Sequence, residues 1–398
     1  MKRSHGGIVN PPCNRKGKNG NPSPTRWRAR GLSQQARFAP RSYPTTRLGK
    51  IEIGEEIFTQ GRRGPEIRPF SESAEVECRR CSEALQRAIT DLGADDPFAG
   101  ASAKLKEHYG IAVPASTIRA VTEKHGAAML ARQKPGTPVP AGAGVPRLIA
   151  EMDGSMVPVV ETTESVAEEA LDHRKTRKLS WMEARLSLAH EPGSLTPVFG
   201  ATMGSVNEAG ERLLVCALEA GAASQTKIHG LGDGAPWILE QMDLQFGSQA
   251  DFLVDFYHLC EYLSAAAEVV AGKEGIEKQA WMEEKKAGLK DNRWPELLET
   301  LRPYVEDASV RDQDAPVRVC FRYISKRSNF LDYKGALAAA LPIGSGEIES
   351  AHRYVIQNRL KVAGAWWKME NLSKMLALRV VRANRDWEDY WSGQQKAA

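Results

Sequence analysis

The chain has 398 residues, of which 42% are hydrophobic, and carries a formal net charge of +4. That length accommodates two or more packed domains, and no apolar run approaches the ~20 residues of a membrane helix. The basic N-terminus lacks the apolar stretch of a secretory signal, and six cysteines in so long a chain make no disulfide scaffold, so a soluble protein of a reducing, intracellular compartment is expected.

Residues 1–50 hold twelve Lys and Arg and no acid, which leaves the remainder net acidic. Rich in Pro, Gly, Ser and Asn, this segment reads as a disordered basic arm. It either lies along phosphates by counterion release, is a solvated tail, or stems from a start codon placed upstream of the true one. Residues 51–70 are a polar lead-in. Ala84, Leu85, Ala88, Ile89 and Leu92 then recur at helical spacing and predict a helix over 74–92. Cys78 and Cys81 fall inside it. With no second such pair they are half a zinc site at best, and read as buried helix cysteines.

The stretch from Phe98 to Gly126 predicts two short helices, the first ended by Gly110 in a left-handed cap and the second started at Pro114. This is a helix-turn-helix pattern within a small all-α domain over 70–130. Bound to DNA, its second helix would present Ser116, Thr117, Arg119 and Thr122 to the major groove; the alternative is a helical hairpin docked on the next domain. A Pro/Gly/Ala linker over 131–147 follows.

Beyond it the period changes. Strands are expected near 148–161, 179–191 and 197–204, with the charged turn HRKTRK between the first two. A helix over 209–222, a strand at KIHGLGD, a helix at APWILEQMDLQF and a strand over 250–257 running into a helix complete the pattern. The order predicts an α/β mixed sheet over 148–258, interrupted by a helical insertion over 259–340 and resumed over 341–395.

Asp153 follows the apolar residues of the first expected strand and precedes Gly154, and Asp233 lies just past the fourth, before a helix; ligands of open sheets gather at strand ends. Singly, each is also an ordinary turn or cap residue. GLGDGA lacks the full dinucleotide-loop pattern. Clustered carboxylates at such a place hold Mg²⁺ or Mn²⁺, and a pair of these ions clamps a phosphate. A third carboxylate is offered by LPIGSGEIES. On a helix, Glu349 shares its side with Ile356 and Leu360, whereas Glu347 shares the wetter side of Tyr354 and Asn358, so periodicity prefers Glu349. The same helix carries His352, Arg353, Arg359 and Lys361, followed by Trp366, Trp367 and Lys368. Basic residues interleaved with aromatics suit a DNA backbone and an unstacked base; a solvated face with a tryptophan plugged into the core fits the pattern equally.

GDGAPWI, VDFYHLCEYL and LPIGSGEIES, with the C-terminal run NRLKVAGAWWKMENLSKMLALRVVRANRDWEDYW, resemble the bacterial insertion-sequence transposases of the ISKra type over roughly 70–395. The resemblance implies a DDE transposase with a ribonuclease-H-like catalytic domain. The family's acids fall on Asp153, Asp233 and Glu349, while Glu347 stands where the family has an apolar or small residue. Two Mg²⁺ or Mn²⁺ ions, cleavage of DNA at the element's ends and strand transfer into a target are implied. The partners would be double-stranded DNA, as terminal inverted repeats and target, with at least a dimer on it, in the bacterial cytoplasm at the nucleoid and with no membrane. Asp255 and His258 are further candidates for orienting the site; Asp255 alternatively only caps the next helix. A nuclease without strand transfer and an inactive DNA-binding repressor are the competing functions.

Overall fold

The computed structural model describes residues 37–38, 45–51, 56–59, 66–67, 81–133, 137–162, 177–272 and 275–396. The chain divides into two compact units, Met1–Leu85 and Gln86–Ala398. In the first, β1 (Arg37–Phe38), β4 (Glu56–Thr59) and β5 (Glu66–Ile67) form an antiparallel sheet, and β2 (Thr45–Thr46) pairs with β3 (Gly49–Lys50). Three of these strands fall in the segment expected to be a disordered arm. At 45–50 the reason is local: the Thr46 hydroxyl donates to Gly49 O at 2.9 Å and accepts from Leu48 N at 3.1 Å, closing the turn. The rest of the arm, and Cys78, lie outside the described residues. Cys81 is buried, but it bridges Thr45 ahead of the first helix instead of sitting on it.

The division falls in the first turn of α1 (Glu83–Asp95), followed by α2 (Phe98–Tyr109) and α3 (Ala115–Ala131). Next come β6 (Arg147–Thr162), β7 (Arg177–His190), β8 (Val198–Thr202), α4 (Val206–Glu219), β9 (Lys227–Gly232), α5 (Pro236–Phe246), β10 (Ala250–Val254) and α6 (Phe256–Val270). This is the order expected from the hydrophobic periods. Of the charged turn HRKTRK, Arg177 and Lys178 belong to β7 and the remainder lies outside the described residues. The insertion is α7 (Ile276–Lys290), α8 (Trp294–Leu301), α9 (Pro316–Lys326) and α10 (Tyr333–Ala338). The chain then forms α11 (Gly346–Ala351), a π-helical segment His352–Gln357, α12 (Met369–Ala383) and α13 (Trp387–Lys396).

The five-stranded sheet has the order β10-β9-β6-β7-β8. β6, β7 and β8 are antiparallel neighbours, whereas β9 is parallel to both β6 and β10. The parallel pairs follow from the helices α4 and α5, whose crossovers return the chain to the same end of the sheet before each strand. Alternation along β6 sends Leu148, Ala150 and Met152 to one face, under α4 and α5. Ile149, Val157 and Val159 go to the other. There Ile149, with Leu231 and Leu253, meets α6 and the insertion, while Val157 and Val159 meet α11, the π segment and α12. The structure is thus a mixed α/β sheet covered on both faces.

The helix-turn-helix is formed, with Gly110 at φ 66 donating to Lys106 O, and Pro114 preceding α3 at φ −60. It is not a separate domain. α3 packs so closely on α12 that a methyl at Gly126 would stand 2.7 Å from Lys374 O. Arg379 donates to Ala94 O and Asp95, Arg382 pairs with Asp91, and Arg87 with Glu388. The expected linker is likewise pinned, with Ser224 N donating to Pro140 O and Val145 N to Gly221 O.

Between α3 and α13, the buried His125 donates from Nε2 to Gln86 Oε1 at 3.0 Å, accepts at Nδ1 from the Tyr390 hydroxyl at 2.8 Å, and packs at a tilt against the Trp391 ring, 4.6 Å away. Burial, with Lys124 nearby, pushes its pKa down to about 4. A histidine depressed below its unfolded value stabilises above pH ~6.5 and loses that contribution as pH falls through about 4. The loss is on the order of 3 kcal/mol. Melting curves at pH 7 and 4.5 are expected to show a larger drop for the native chain than for His125→Gln, which has no ionisation; equal drops would refute the assignment.

Candidate carboxylate site

Register brings the aspartates together. β6 pairs with β9 from Arg147↔Lys227 to Glu151↔Leu231, and the same offset carried two residues on sets Asp153 beside Asp233. A methyl on Gly232 would stand 3.4 Å from Met152 O, so the strands are still adjacent there. β10 pairs Val254 with Gly232, and Asp255 N donates to Gly232 O at 2.8 Å, which places Asp255 on the far side of Asp233. Three aspartates thus form a row across three parallel strands, Asp233 and Asp255 just past the ends of β9 and β10 and Asp153 within β6, where its pairing with β9 runs out.

Their side chains have different employment. Asp233 is half-buried, and its Oδ1 accepts from Ala235 N at 2.7 Å, turning the chain into α5. Asp255 is buried and saturated. Oδ1 accepts from Tyr257 N at 2.6 Å and His258 N at 3.1 Å, and Oδ2 accepts from Ser345 N at 2.8 Å and from the Ser345 hydroxyl. Of the two readings of Asp255 the capping one describes what it does; it also fastens the LPIGSGEIES loop to α6. His258 is 3.4 Å from Glu261 and packs edge-on against Tyr262 and Tyr323. Asp153 is half-buried, with Oδ2 2.9 Å from His352 Nε2. His352 had the look of a basic residue facing phosphate; it is buried instead, and its ring meets Asp153 in proximity but without an aligned hydrogen bond.

Glu347 and Glu349 are both exposed and flank the buried Ile348, about 100° to either side of it on the helix. The projected buried side for Glu349 therefore fails. The inward face is Ile348, Ala351, His352, Val355, Ile356, Arg359 and Leu360, and the π segment shifts the phase after 352. Glu349 nevertheless lies on the side of Asp153. Its pKa is raised, first by burial of its carboxyl and next by Asp153, with His352 opposing. Among the described residues no three His, Cys, Asp or Glu side chains stand together as a ready metal cage.

Glu151, a residue the sequence reading passed over, is 1% exposed, with Oε2 accepting from Ile348 N at 2.8 Å. Desolvation pushes its pKa up to about 8. It ties the helix carrying Glu349 to the strand carrying Asp153. The available signal was an acid inside the apolar run LIAEMDG. The insertion also reaches the site: Tyr323 donates its hydroxyl to Asp233 O at 2.6 Å, and Arg327 Nε donates to Gly234 O at 3.0 Å.

The expected DNA contacts separate. Ser116 and Arg119 are exposed and Thr117 half-buried, but Thr122 is buried against Gly93. Arg353 is exposed; Lys361 is exposed along its length and donates to Ser155 Oγ at 2.7 Å. Arg359 and Trp367 are 3% and 5% exposed and are held by the protein. Arg359 Nε donates to Gly93 O and its guanidinium lies over Phe98 and Trp367, while Trp367 Nε1 donates to Leu360 O at 3.2 Å. Lys368 and the half-exposed Trp366 line, with Arg119 and Asn371, a cleft of about 410 Å³ floored by the Arg359–Trp367 stack.

Residues 218–394 match the model of a family described as Uncharacterised protein family (UPF0236). Nothing among the curated proteins matches the chain. No helix among the described residues is long and apolar enough to cross a membrane.

Glu151→Ala strips the acceptor from a buried amide and is expected to cost about 1–3 kcal/mol, whereas Glu151→Gln keeps an acceptor and costs less. Urea unfolding measures both; an alanine variant as stable as the native chain refutes the tether.

Proposed function

We propose that the chain is a metal-dependent DNA-processing enzyme of the DDE transposase class, with a ribonuclease-H-like catalytic domain. The observation that carries this reading is the placement of Asp153 and Asp233 side by side where the parallel pairing of β6 and β9 ends, with Glu349 on a helix on the side of Asp153. Three things support it. The strand order, antiparallel on one side of β6 and parallel on the other, agrees with the fold implied by the ISKra resemblance. The helical insertion falls between the second aspartate and the glutamate. Exposed Arg119, Arg353 and Lys368 supply cationic surface.

The donor set suits a hard divalent cation in its chemistry: the ligands are oxygens, and positive charge would offset both the burial and, after it, the Asp153 charge that raise Glu349. Asp153, Asp233 and Glu349 would hold Mg²⁺ or Mn²⁺, which supplies the charge stabilisation that phosphoryl transfer needs. The remaining work is positional. Glu151 and Asp255 hold α11 and its loop on the sheet, His352 packs against Asp153, and Ala235 N sets the rotamer of Asp233.

Labelled DNA carrying the ends of the element, incubated with Mg²⁺, tests the reading. Cleavage and joining are expected. Cleavage alone makes the protein a nuclease, and binding without either reaction an inactive DNA-binding protein. Asp233→Asn is expected to abolish cleavage and retain binding. Glu349→Gln is expected to lower cleavage at least a hundredfold more than Glu347→Gln, on the order of 3 kcal/mol of barrier; equal activity of the two removes Glu349 from the site.

A further inference from the structure

We propose that Arg327, contributed by the helical insertion, binds a phosphodiester of the DNA at the carboxylate row. The inference rests on the DNA reading above and extends it to a residue outside the acid set.

Three arginines stand along α9 and its C-terminal cap. Arg318 and Arg322 both pair with Asp312 at the helix's start. Arg327, at the other end, has no carboxylate within ion-pair distance among the described residues. Its contacts are of another kind. Nε donates to Gly234 O at 3.0 Å, and the guanidinium lies 4.0 Å from the centroid of the Tyr323 ring. That ring is stacked on Tyr262, and its hydroxyl donates to Asp233 O at 2.6 Å. Both carbonyls of the Asp233–Gly234 turn are therefore taken by the insertion, and the arginine is immobilised beside the aspartate.

The turn is built to admit it. Gly234 has φ +71, and a methyl there would lie 2.6 Å from Arg327 Nε and 2.9 Å from its Cδ. A side chain at 234 would expel the arginine, so the glycine serves both the left-handed turn and the close approach. Guanidinium carries five N–H donors. One is used, and the two terminal nitrogens make no hydrogen bond to the described residues. A fixed, half-buried cation with an unspent planar fork is suited to two oxygens of one phosphate. The protein's own carboxylates at this place are acceptors, so they leave the donor role to Arg327.

The test uses the full chain without divalent metal. Binding of a fluorescent duplex is measured over a salt series, and melting curves are taken with and without inorganic phosphate. Arg327→Gln is expected to weaken duplex binding about tenfold, to reduce the slope of log Kd against log salt by about one, and to abolish the phosphate-induced rise in Tm. A single methylphosphonate scanned along the duplex should weaken the native chain at one position and leave Arg327→Gln unaffected there. A merely structural arginine would lower the Tm without phosphate while leaving the salt slope unchanged, and that result overturns the proposal. If the native chain binds no duplex, the DNA reading falls, and the phosphate melts alone decide: loss of the rise in Arg327→Gln upholds an anion site, and no difference overturns it. Should Arg327→Gln fail to fold, Arg327→Lys keeps the charge and loses the fork. Weaker phosphate protection in it supports the proposal, and undiminished protection overturns it.

Discussion

Hydrogen bonding between β6, β9 and β10 decides where three aspartates come to rest. Because the strands are parallel and in register, residues 80 apart (Asp153 and Asp233) and a further 22 apart (Asp233 and Asp255) end at one level. A one-residue slip of β6 would send Asp153 to the opposite face and bury Met152 among the polar groups. The apolar alternation of β6 opposes such a slip, since each face of that strand is covered by a different set of helices.

The glutamate helix arrives by other means. α11 is short, and its placement depends on two buried carboxylates that act as acceptors: Glu151 from the strand and Asp255 from the cap of α6. Buried polar contacts of this sort contribute little net stability but cost much when left unpaired. They are therefore devices for position. The same logic applies to Arg359 and Arg379, whose guanidinium groups reach backbone carbonyls of the α1 region and bring the helix-turn-helix into the body of the fold.

Much of this architecture was legible in the chain. Alternating and helical periods gave the order of β6 through α6, because each element buries a face that its sequence marks, and the acids beside Gly154 and Gly234 stood out after apolar runs. What the periods missed was tertiary. Arg359 and Trp367 look like a DNA-facing pair in one dimension, and only the arrival of Gly93 and Phe98 shows them to be packed on each other. Glu151 was hidden by its apolar neighbours, since a single acid in a strand carries no period. The α-helical wheel drawn through Glu349 broke at His352, where the backbone leaves the geometry on which the wheel depends. The independent helical domain expected over 70–130 dissolved for a related reason: the complementary surface for α3 lies in α12, some 250 residues later.

The π-helical segment also bears on how the gene can vary. Over its six residues, His352–Gln357, each turn takes in about one residue more than an α turn, beginning three residues after Glu349. In a plain α-helix the loss of one residue rotates everything downstream by roughly 100°, but here the wide turn can give up its extra residue and return to ordinary winding, leaving Leu360 and Lys361 close to their present phase. A one-residue change of length, ruinous in most helix interiors, can thus be absorbed at this point.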